Sequence, residues 1–412
     1  MDAFPEDWKV NTIGTLFEVG SSKRVFQSQW RKSGVPFYRA RDIVGFNRGA
    51  GAIGGLYIDK ELYEEYKRSY GVPLKGDILI TAVGTLGETY LVEDDHPFYF
   101  KDGNIIWLRS LGTCDSRFVQ YLYSSGSLDD QIFDTTGGST VGTYTISNVK
   151  KTKVHLPPLP EQRRIAAALG DMDKLVDNLS KRIEKNKAIK QGAMQELLTG
   201  KKRLPGFEGE WEKVELLGVT RMFSDGDWIE SKDQCDCGIR LIQTGNVGCG
   251  CFKNKGDKKH FVSEETFSRL NCTEIVVGDV LVSRLPDPIG RACLLPKANE
   301  RMITAVDCTI IRFAEYSAEF FVQYTQTPEY LWSVGSFMAG STRQRISREA
   351  LGKVKIPSPT LPEQRAIAKV LGDMDAEIAK LEAKREKLIG IKKGMMSDLL
   401  TGKVRLKSAN EA

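Results

Sequence analysis

Apolar residues at Ile165, Leu169, Met172, Val176, Leu179 and Ile183 alternate spacings of four and three, with charged residues at most positions between them. Such a seam belongs to a helix that packs along another long helix. The same period returns at Ile367, Leu371, Met374, Ile378 and Leu381, and again at Leu388. Each stretch opens on prolines, in LPPLPEQR and SPTLPEQR, and Pro followed by Glu suits the first turn of a helix. Each closes on a Thr-Gly pair, Thr199-Gly200 and Thr401-Gly402, where glycine supplies a stop. About 40 residues at a rise of about 1.5 Å make a rod of roughly 60 Å. Asn186 and Arg385 interrupt the two seams, and polar interruptions of this kind can fix register.

The two stretches are copies. Residues 159–204 and 361–406 align without a gap, 202 residues apart, with 26 identities in 46 positions. Internal repeats are settled before any local reading, and this period is too long for a solenoid. Two helices with one apolar stripe each are predicted to pair with one another. Antiparallel pairing is the simpler topology, and packing of each helix on its own domain is the alternative.

Outside the helices, short runs rich in Val, Ile, Thr and Tyr are punctuated by Gly, Pro, Asn and Asp. That pattern predicts a mixed α/β (α+β) domain in each half. The expected organisation is a globular domain over 1–158, a helical region over 159–204, a second domain over 205–358, a second helical region over 359–406 and a tail over 407–412. The globular segments echo each other. Trp8-Lys9-Val10 with Gly14 matches Trp211, Lys213-Val214 and Gly218, and Gly76-Asp77-Ile78-Leu79 matches Gly278-Asp279-Val280-Leu281. Phe118-Val119-Gln120-Tyr121 matches Phe321-Val322-Gln323-Tyr324, on an expected helix, and Gly138-Ser139-Thr140 matches Gly340-Ser341-Thr342.

Composition narrows the class. The chain of 412 residues has room for two to three domains, and 41% hydrophobic with 27% charged residues is ordinary for a soluble protein. No apolar run approaches the roughly 20 residues that span a bilayer, and the opening MDAFPEDWKV lacks a signal-peptide pattern; a cytoplasmic location is expected. The net charge of +5 is unevenly spread. Residues 159–204 hold 11 Lys+Arg against 6 Asp+Glu, whereas residues 1–158 hold 18 against 19 and residues 205–358 hold 19 against 21. Any DNA binding by the larger segments would therefore use locally placed groups rather than a broad basic field.

Signatures of catalysis are missing. There is no phosphate loop of the form G-x-x-x-x-G-K-[ST]. The glycine cluster GFNRGAGAIGG at 45–55 lacks the preceding strand and downstream acid of a dinucleotide site. No N-P-P-[FYW] amino-methyltransferase motif occurs, and PDPIG at 286–290 lacks the continuation of a restriction-type nuclease. His96, His155 and His260 are scattered, and Asp94-Asp95 reads as a solvated turn. Cys235, Cys237, Cys249 and Cys251 form two C-x-C pairs. Four thiolates suit zinc, but the spacing departs from the usual C-x₂₋₄-C, so free thiols are the favoured reading. No cofactor or metal is expected.

Recognition chemistry remains. MAGSTRQRIS brings Ser341, Thr342, Arg343, Gln344 and Arg345 together, and its counterpart TTGGSTVGTYTIS offers Ser139, Thr140, Thr143 and Tyr144. Arg pairs bidentately with guanine and Gln with adenine, while Ser and Thr reach phosphates or bases. A plain connecting loop is the competing reading. A second candidate group is Arg39 and Arg41 in FYRARDI, set against Arg240, Gln243, Thr244 and Asn246 in IRLIQTGNV. Arg284 and Arg291 flank the turn after the second Gly-Asp strand, opposite Thr81, Thr85 and Glu88 in the first half.

Two diverged domains, each followed by a near-identical helix that opens on LPEQR and closes on LLTGK-x-R-L, resemble the DNA-specificity (S) subunit of Type I restriction–modification enzymes. The resemblance spans the whole chain, and its weight lies in the order of its motifs, repeated twice. It implies two similar target recognition domains separated by two long antiparallel coiled-coil helices in a pseudo-two-fold repeat. It further implies a non-catalytic subunit in which each domain reads one half of a bipartite, asymmetric site on double-stranded DNA. The helices would set the spacer and dock methyltransferase (M) subunits, and a restriction/translocase (R) subunit would complete the complex. S-adenosylmethionine and ATP would belong to those partners, and no membrane is involved. The cysteine pairs fall outside the family pattern. A coiled-coil scaffold with two duplicated ligand-binding domains is the rival reading.

Overall fold

The computed structural model describes residues 4–47, 51–133, 142–256, 258–338 and 344–406. It forms two compact units, one of residues 1–180 with 384–412 and one of residues 181–383. Each unit holds one globular segment and part of each long helix.

In the first unit, Lys9–Thr12 pairs antiparallel with Lys153–Leu156, so the Trp8 region returns beside the start of the first long helix. A four-stranded antiparallel sheet runs in the order Phe17–Gly20, Ile105–Ser110, Ile78–Thr81, Thr89–Leu91. A second sheet orders Tyr57–Ile58, Val35–Tyr38 and Tyr99–Phe100, and its last pair is parallel. All four residues of Ile78–Thr81 are buried, as expected of a strand covered on both faces.

The second unit repeats this plan. Glu212–Glu215 pairs with Lys355–Ser358. The four-stranded sheet is Thr220–Asp225, Cys308–Phe313, Val280–Ser283, Ala292–Leu294. The smaller sheet keeps its parallel pair, Ile239–Ile242 with Met302–Thr304, and gains an edge strand on each side, giving five. The architecture is thus a mixed α+β fold built twice.

The Gly-Asp turns explain themselves. Gly76 and Gly278 have φ of 93° and 91°, a backbone that favours glycine. The following aspartates are buried and bonded: Asp77 accepts from the indole of Trp107 at 2.8 Å and from the Ser110 N–H at 2.9 Å. Asp279 accepts two bonds from the Arg312 guanidinium, at 2.7 and 2.9 Å.

The long helices run Leu159–Leu197 and Leu361–Leu399. Ile165, Leu169, Leu179 and Ile183, and their counterparts Ile367, Leu371, Ile378 and Leu381, are buried along the predicted seams. Within the first unit Glu161 pairs with Arg405 and Asp173 with Lys392. Residue numbers rise along one helix as they fall along the other, which makes the pairing antiparallel. Within the second unit Glu363 pairs with Arg203 and Asp375 with Lys190, at 2.6 Å each.

The first three letters of the PEQR string each have a task. Proline opens the helix. Glu161, 2% exposed, and Glu363, fully buried, each receive a bidentate arginine: Arg405 at 2.8 and 2.6 Å, Arg203 at 2.6 and 2.7 Å. The Trp8 and Trp211 rings cover those guanidinium groups, with centroids 5.9 and 5.5 Å away. Gln162 and Gln364 accept from the backbone N–H of Asp115 and Ser317 at 2.9 and 2.7 Å, and donate to Pro157 and Pro359. Asp115 and Ser317 in turn cap the helices Ser116–Ser124 and Ala318–Tyr324.

That joint corrects the alignment of the two halves. Phe118 meets Trp8 edge-on at 6.3 Å, and Phe320 meets Trp211 at 6.2 Å. Phe118 therefore corresponds to Phe320, one residue away from the partner suggested by the shared Phe-Val-Gln-Tyr string. Tyr121 and Gln323 then become equivalent, and each bonds the same helix aspartate, Asp173 at 2.6 Å and Asp375 at 2.8 Å.

Removing either arginine strands a buried carboxylate, an effect worth about 3–5 kcal/mol. Arg203→Ala is expected to lower the thermal unfolding midpoint strongly, and Arg203→Lys to recover only part, because an ammonium cannot make the bidentate fork. Differential scanning calorimetry of the three proteins measures this.

Candidate nucleic-acid interface

In the second unit three loops gather at one end of the sheets: residues 243–256 after strand Ile239–Ile242, residues 284–291 after strand Val280–Ser283, and residues 344–346. Arg291 joins two of them. Its guanidinium is buried and donates to the carbonyls of Val247 and Thr244 at 2.8 and 2.9 Å, and to Leu285, Pro286 and Pro288 at 2.9, 2.6 and 3.1 Å. Arg284 joins the third, donating to Ile346 O at 3.4 Å and Val306 O at 2.6 Å, while its own carbonyl accepts from Ile346 N at 3.2 Å.

These facts overturn part of the sequence-based reading. Arg291 spends its donors on internal carbonyls, and Arg284 is buried with its Nη groups on internal carbonyls and its Nε 3.4 Å from the Asp225 carboxylate. Arg240 is 4% exposed and is held by Glu300 at 2.6 Å and Asn254 at 2.7 Å. The strand that carries it is buried on both faces, so period-two alternation does not bring it to solvent. Asn246 is buried, accepting from Gln243 N at 3.0 Å and donating to Lys253 O at 2.9 Å. Tyr144 is fully buried, its hydroxyl shared with Thr152 at 2.6 Å and Tyr123 at 3.2 Å. Burial and the neighbouring Tyr123 leave Tyr144 a core residue. All five are buried and bonded from within the domain.

Other candidates face outward. Gln243 and Thr244 are half-buried, and Gln344 and Arg345 are exposed. Arg41 is exposed on helix Ala40–Asn47, and Thr85 and Thr143 are exposed, the latter bridged to Val83. Ser139, Thr140, Ser341, Thr342 and Arg343 lie outside the described residues.

Arg39 and Gln243 occupy equivalent places. Each is the first residue beyond its parallel strand, and each backbone N–H is held by the side chain three residues on, Asp42 at 2.8 Å and Asn246 at 3.0 Å. Burial raises the Asp42 carboxyl above the usual carboxylate range, opposed by the Gly54 N–H and the charge of Arg41. The Arg39 Nε and Nη2 are buried and make no hydrogen bond among the described residues, although Nε lies 3.9 Å from Asp42. The first unit also ties its loops by other means: Asn47 donates to Glu88 at 2.6 Å, and Tyr144 N donates to Ala82 O at 3.0 Å.

Cys235, Cys237, Cys249 and Cys251 are all exposed, and among the described residues no cluster of three or more His, Cys, Asp or Glu is placed to hold a metal. No described helix is long and apolar enough to cross a membrane.

A shared frame that presents different loops in its two copies defines a two-module recognition protein. Residues 5–191 and 208–389 match the family described as the Type I restriction modification DNA specificity domain, and the chain belongs to that family. It is 27% identical to the Type I restriction enzyme MjaVIII specificity subunit of Methanocaldococcus jannaschii, over 98% of this chain and 95% of that protein. It is 35% identical to the putative type I restriction enzyme specificity subunit S.HindORF215P of Haemophilus influenzae, over 42% of each. The fold matches that of a Type I restriction–modification S subunit from M. genitalium with a TM-score of 0.62, at 16% identity and 97% coverage of both chains. A second solved chain, from work on type I R-M complex assembly and conformational transition, gives a TM-score of 0.57 at 18% identity, covering 98% of this chain and all of that one.

Arg291→Lys tests the brace. Lysine has three donors against five internal bonds, so carbonyls are left unpaired, at a cost of about 2–3 kcal/mol. A lower midpoint in thermal or urea unfolding is expected, whereas an unchanged midpoint would remove Arg291 from its bracing role.

Proposed function

We propose that this chain is the DNA-specificity subunit of a Type I restriction–modification complex. Residues 1–158 and 205–358 are its two recognition modules, and each reads one half of a bipartite, asymmetric site. The observation that carries this reading is the contrast between the joints and the loops. The Trp–Arg–Glu joint is repeated residue for residue and the Gln–cap joint bond for bond, with Asp115 in one copy and Ser317 in the other, while the loops at the sheet ends differ in nearly every polar group.

The chain itself performs no chemistry in this account. The methyltransferase subunits supply S-adenosylmethionine and adenine methylation, with the target base flipped out of the duplex; the restriction/translocase subunit uses ATP. The paired helices dock the methyltransferase and set the spacer between half-sites. The complex works in the cytoplasm. Base and phosphate contacts fall to Arg39, Arg41, Thr85 and Thr143 in the first module, with Ser139 and Thr140. In the second they fall to Gln243, Thr244, Gln344 and Arg345, with Ser341, Thr342 and Arg343. Gln243 suits adenine through a bidentate pair worth about 1–3 kcal/mol of discrimination, and Arg39, with Nε and Nη2 buried, offers a single guanidinium donor to a guanine edge or a phosphate.

Co-expression with the cognate methyltransferase, followed by genome-wide mapping of methylated adenines, is expected to give a two-part motif with a fixed spacer. Absence of new methylation would sink the proposal. Gln243→Arg is expected to alter a single position of one half-site, and Arg39→Gln a single position of the other. A change in both halves from either substitution would contradict modular reading.

A further inference from the structure

The loop that follows strand Ile239–Ile242 in the second unit ends in a basic run. Between strands Ile239–Ile242 and His260–Val262 the chain carries Lys253, Lys255, Lys258 and Lys259 against one acid, Asp257. These seven residues hold a net +3, inside a segment of 19 basic and 21 acidic residues. The corresponding connection of the first unit, between Val35–Tyr38 and Tyr57–Ile58, contains no lysine. All four lysines are exposed. Lys259 lies 3.4 Å from Glu300, but Lys253, Lys255 and Lys258 make no ion pair among the described residues.

The loop is held in place. Lys253 N donates to Asn246 O at 2.7 Å, and the Asn246 side chain donates back to Lys253 O at 2.9 Å. The buried Arg240 donates to the Asn254 side-chain Oδ1 at 2.7 Å, and Lys258 N donates to Lys255 O at 3.1 Å. The Lys255 ammonium reaches back to the turn, where a Cβ on Gly245 would stand 2.4 Å from it. Crowding like charges on an ordered loop is unfavourable unless an anion meets them. A lysine binds phosphate as a point charge, without reading sequence.

We infer that Lys253, Lys255 and Lys258 form a clamp on the phosphate backbone beside the half-site read by the second unit. This rests on the DNA-reading function proposed above and adds a separate surface to it. The clamp fixes the register of the duplex against the turn of Gln243 and Thr244, and leaves the choice of bases to other groups. Each lysine that neutralises a phosphate contributes about 0.9 to the slope of log K against log salt.

The test uses the assembled methyltransferase complex carrying either the native chain or Lys253→Gln/Lys255→Gln/Lys258→Gln, with duplex binding measured from low to moderate salt. The slope is expected to fall by about 2 to 3, with weaker binding at low salt and an unchanged methylation motif. An unchanged slope overturns the clamp. A weakened association between the chain and the methyltransferase, at an unchanged DNA slope, assigns the lysines to a protein contact and also overturns it. If the native complex methylates no motif at all, the failure belongs to the specificity reading. Thermal unfolding of the exposed-lysine variant is expected to match the native chain, which separates binding from folding.

Discussion

The structure depends on a carboxylate withdrawn from water at the start of each long helix. Glu161 and Glu363 are almost wholly buried, and a lone buried carboxylate is intolerable at neutral pH. Arginine makes the position tenable because its planar fork satisfies both oxygens at once. The arginine comes from just beyond the end of the other long helix, and the tryptophan that opens each globular segment covers it. One contact therefore ties together a helix start, a helix end and a domain. Glycine at the helix stop is part of the same joint: Gly402 has a φ of 74°, and a Cβ there would meet the Pro5 ring at 2.6 Å. This accounts for why the repeated strings are so alike. Their letters are spent on one another.

Beyond the joints, the two copies solve the same mechanical problem with different residues. A loop after the parallel strand must be tied to a loop after the Gly-Asp strand. The first unit uses Asn47 and Glu88, whereas the second uses the single guanidinium of Arg291. Next to it, Ala82 stands against the large Tyr144 in one unit, and Arg284 against the smaller Ile346 in the other, with the same backbone bond between them. Volume is exchanged across the contact while the main chain is kept. Loops held by such exchanges can present new side chains without disturbing the frame, which is what a specificity module requires.

The helices, the duplication and the mixed domains were legible in the sequence because each leaves a periodic or repeated trace. The joint was half legible. PEQR and the opening tryptophan stood out, but nothing in one dimension says that the glutamate touches an arginine 244 residues away in one joint and 160 in the other. The site was read least well. Arginine looks the same in a string whether its donors face solvent or internal acceptors, so Arg240, Arg284 and Arg291 read as base-contacting groups although their partners lie inside the domain. The Phe-Val-Gln-Tyr match misled in another way, since identical letters lie one residue out of structural register. The lysines at 253–259 did leave a signal, a dense run of one sign within a nearly neutral domain. An average over the whole segment hides it.

The central claim is that the shared frame carries geometry while the divergent loops meet DNA. Hydrogen–deuterium exchange on the assembled methyltransferase complex, with and without its target duplex, tests it most directly. The account predicts duplex-dependent protection in residues 39–47, 82–88 and 142–145 of one unit and 243–256, 284–291 and 344–346 of the other. Exchange around Glu161, Glu363 and their arginines should not change. Protection confined to the long helices, with both sets of loops exchanging as they do without DNA, would contradict it.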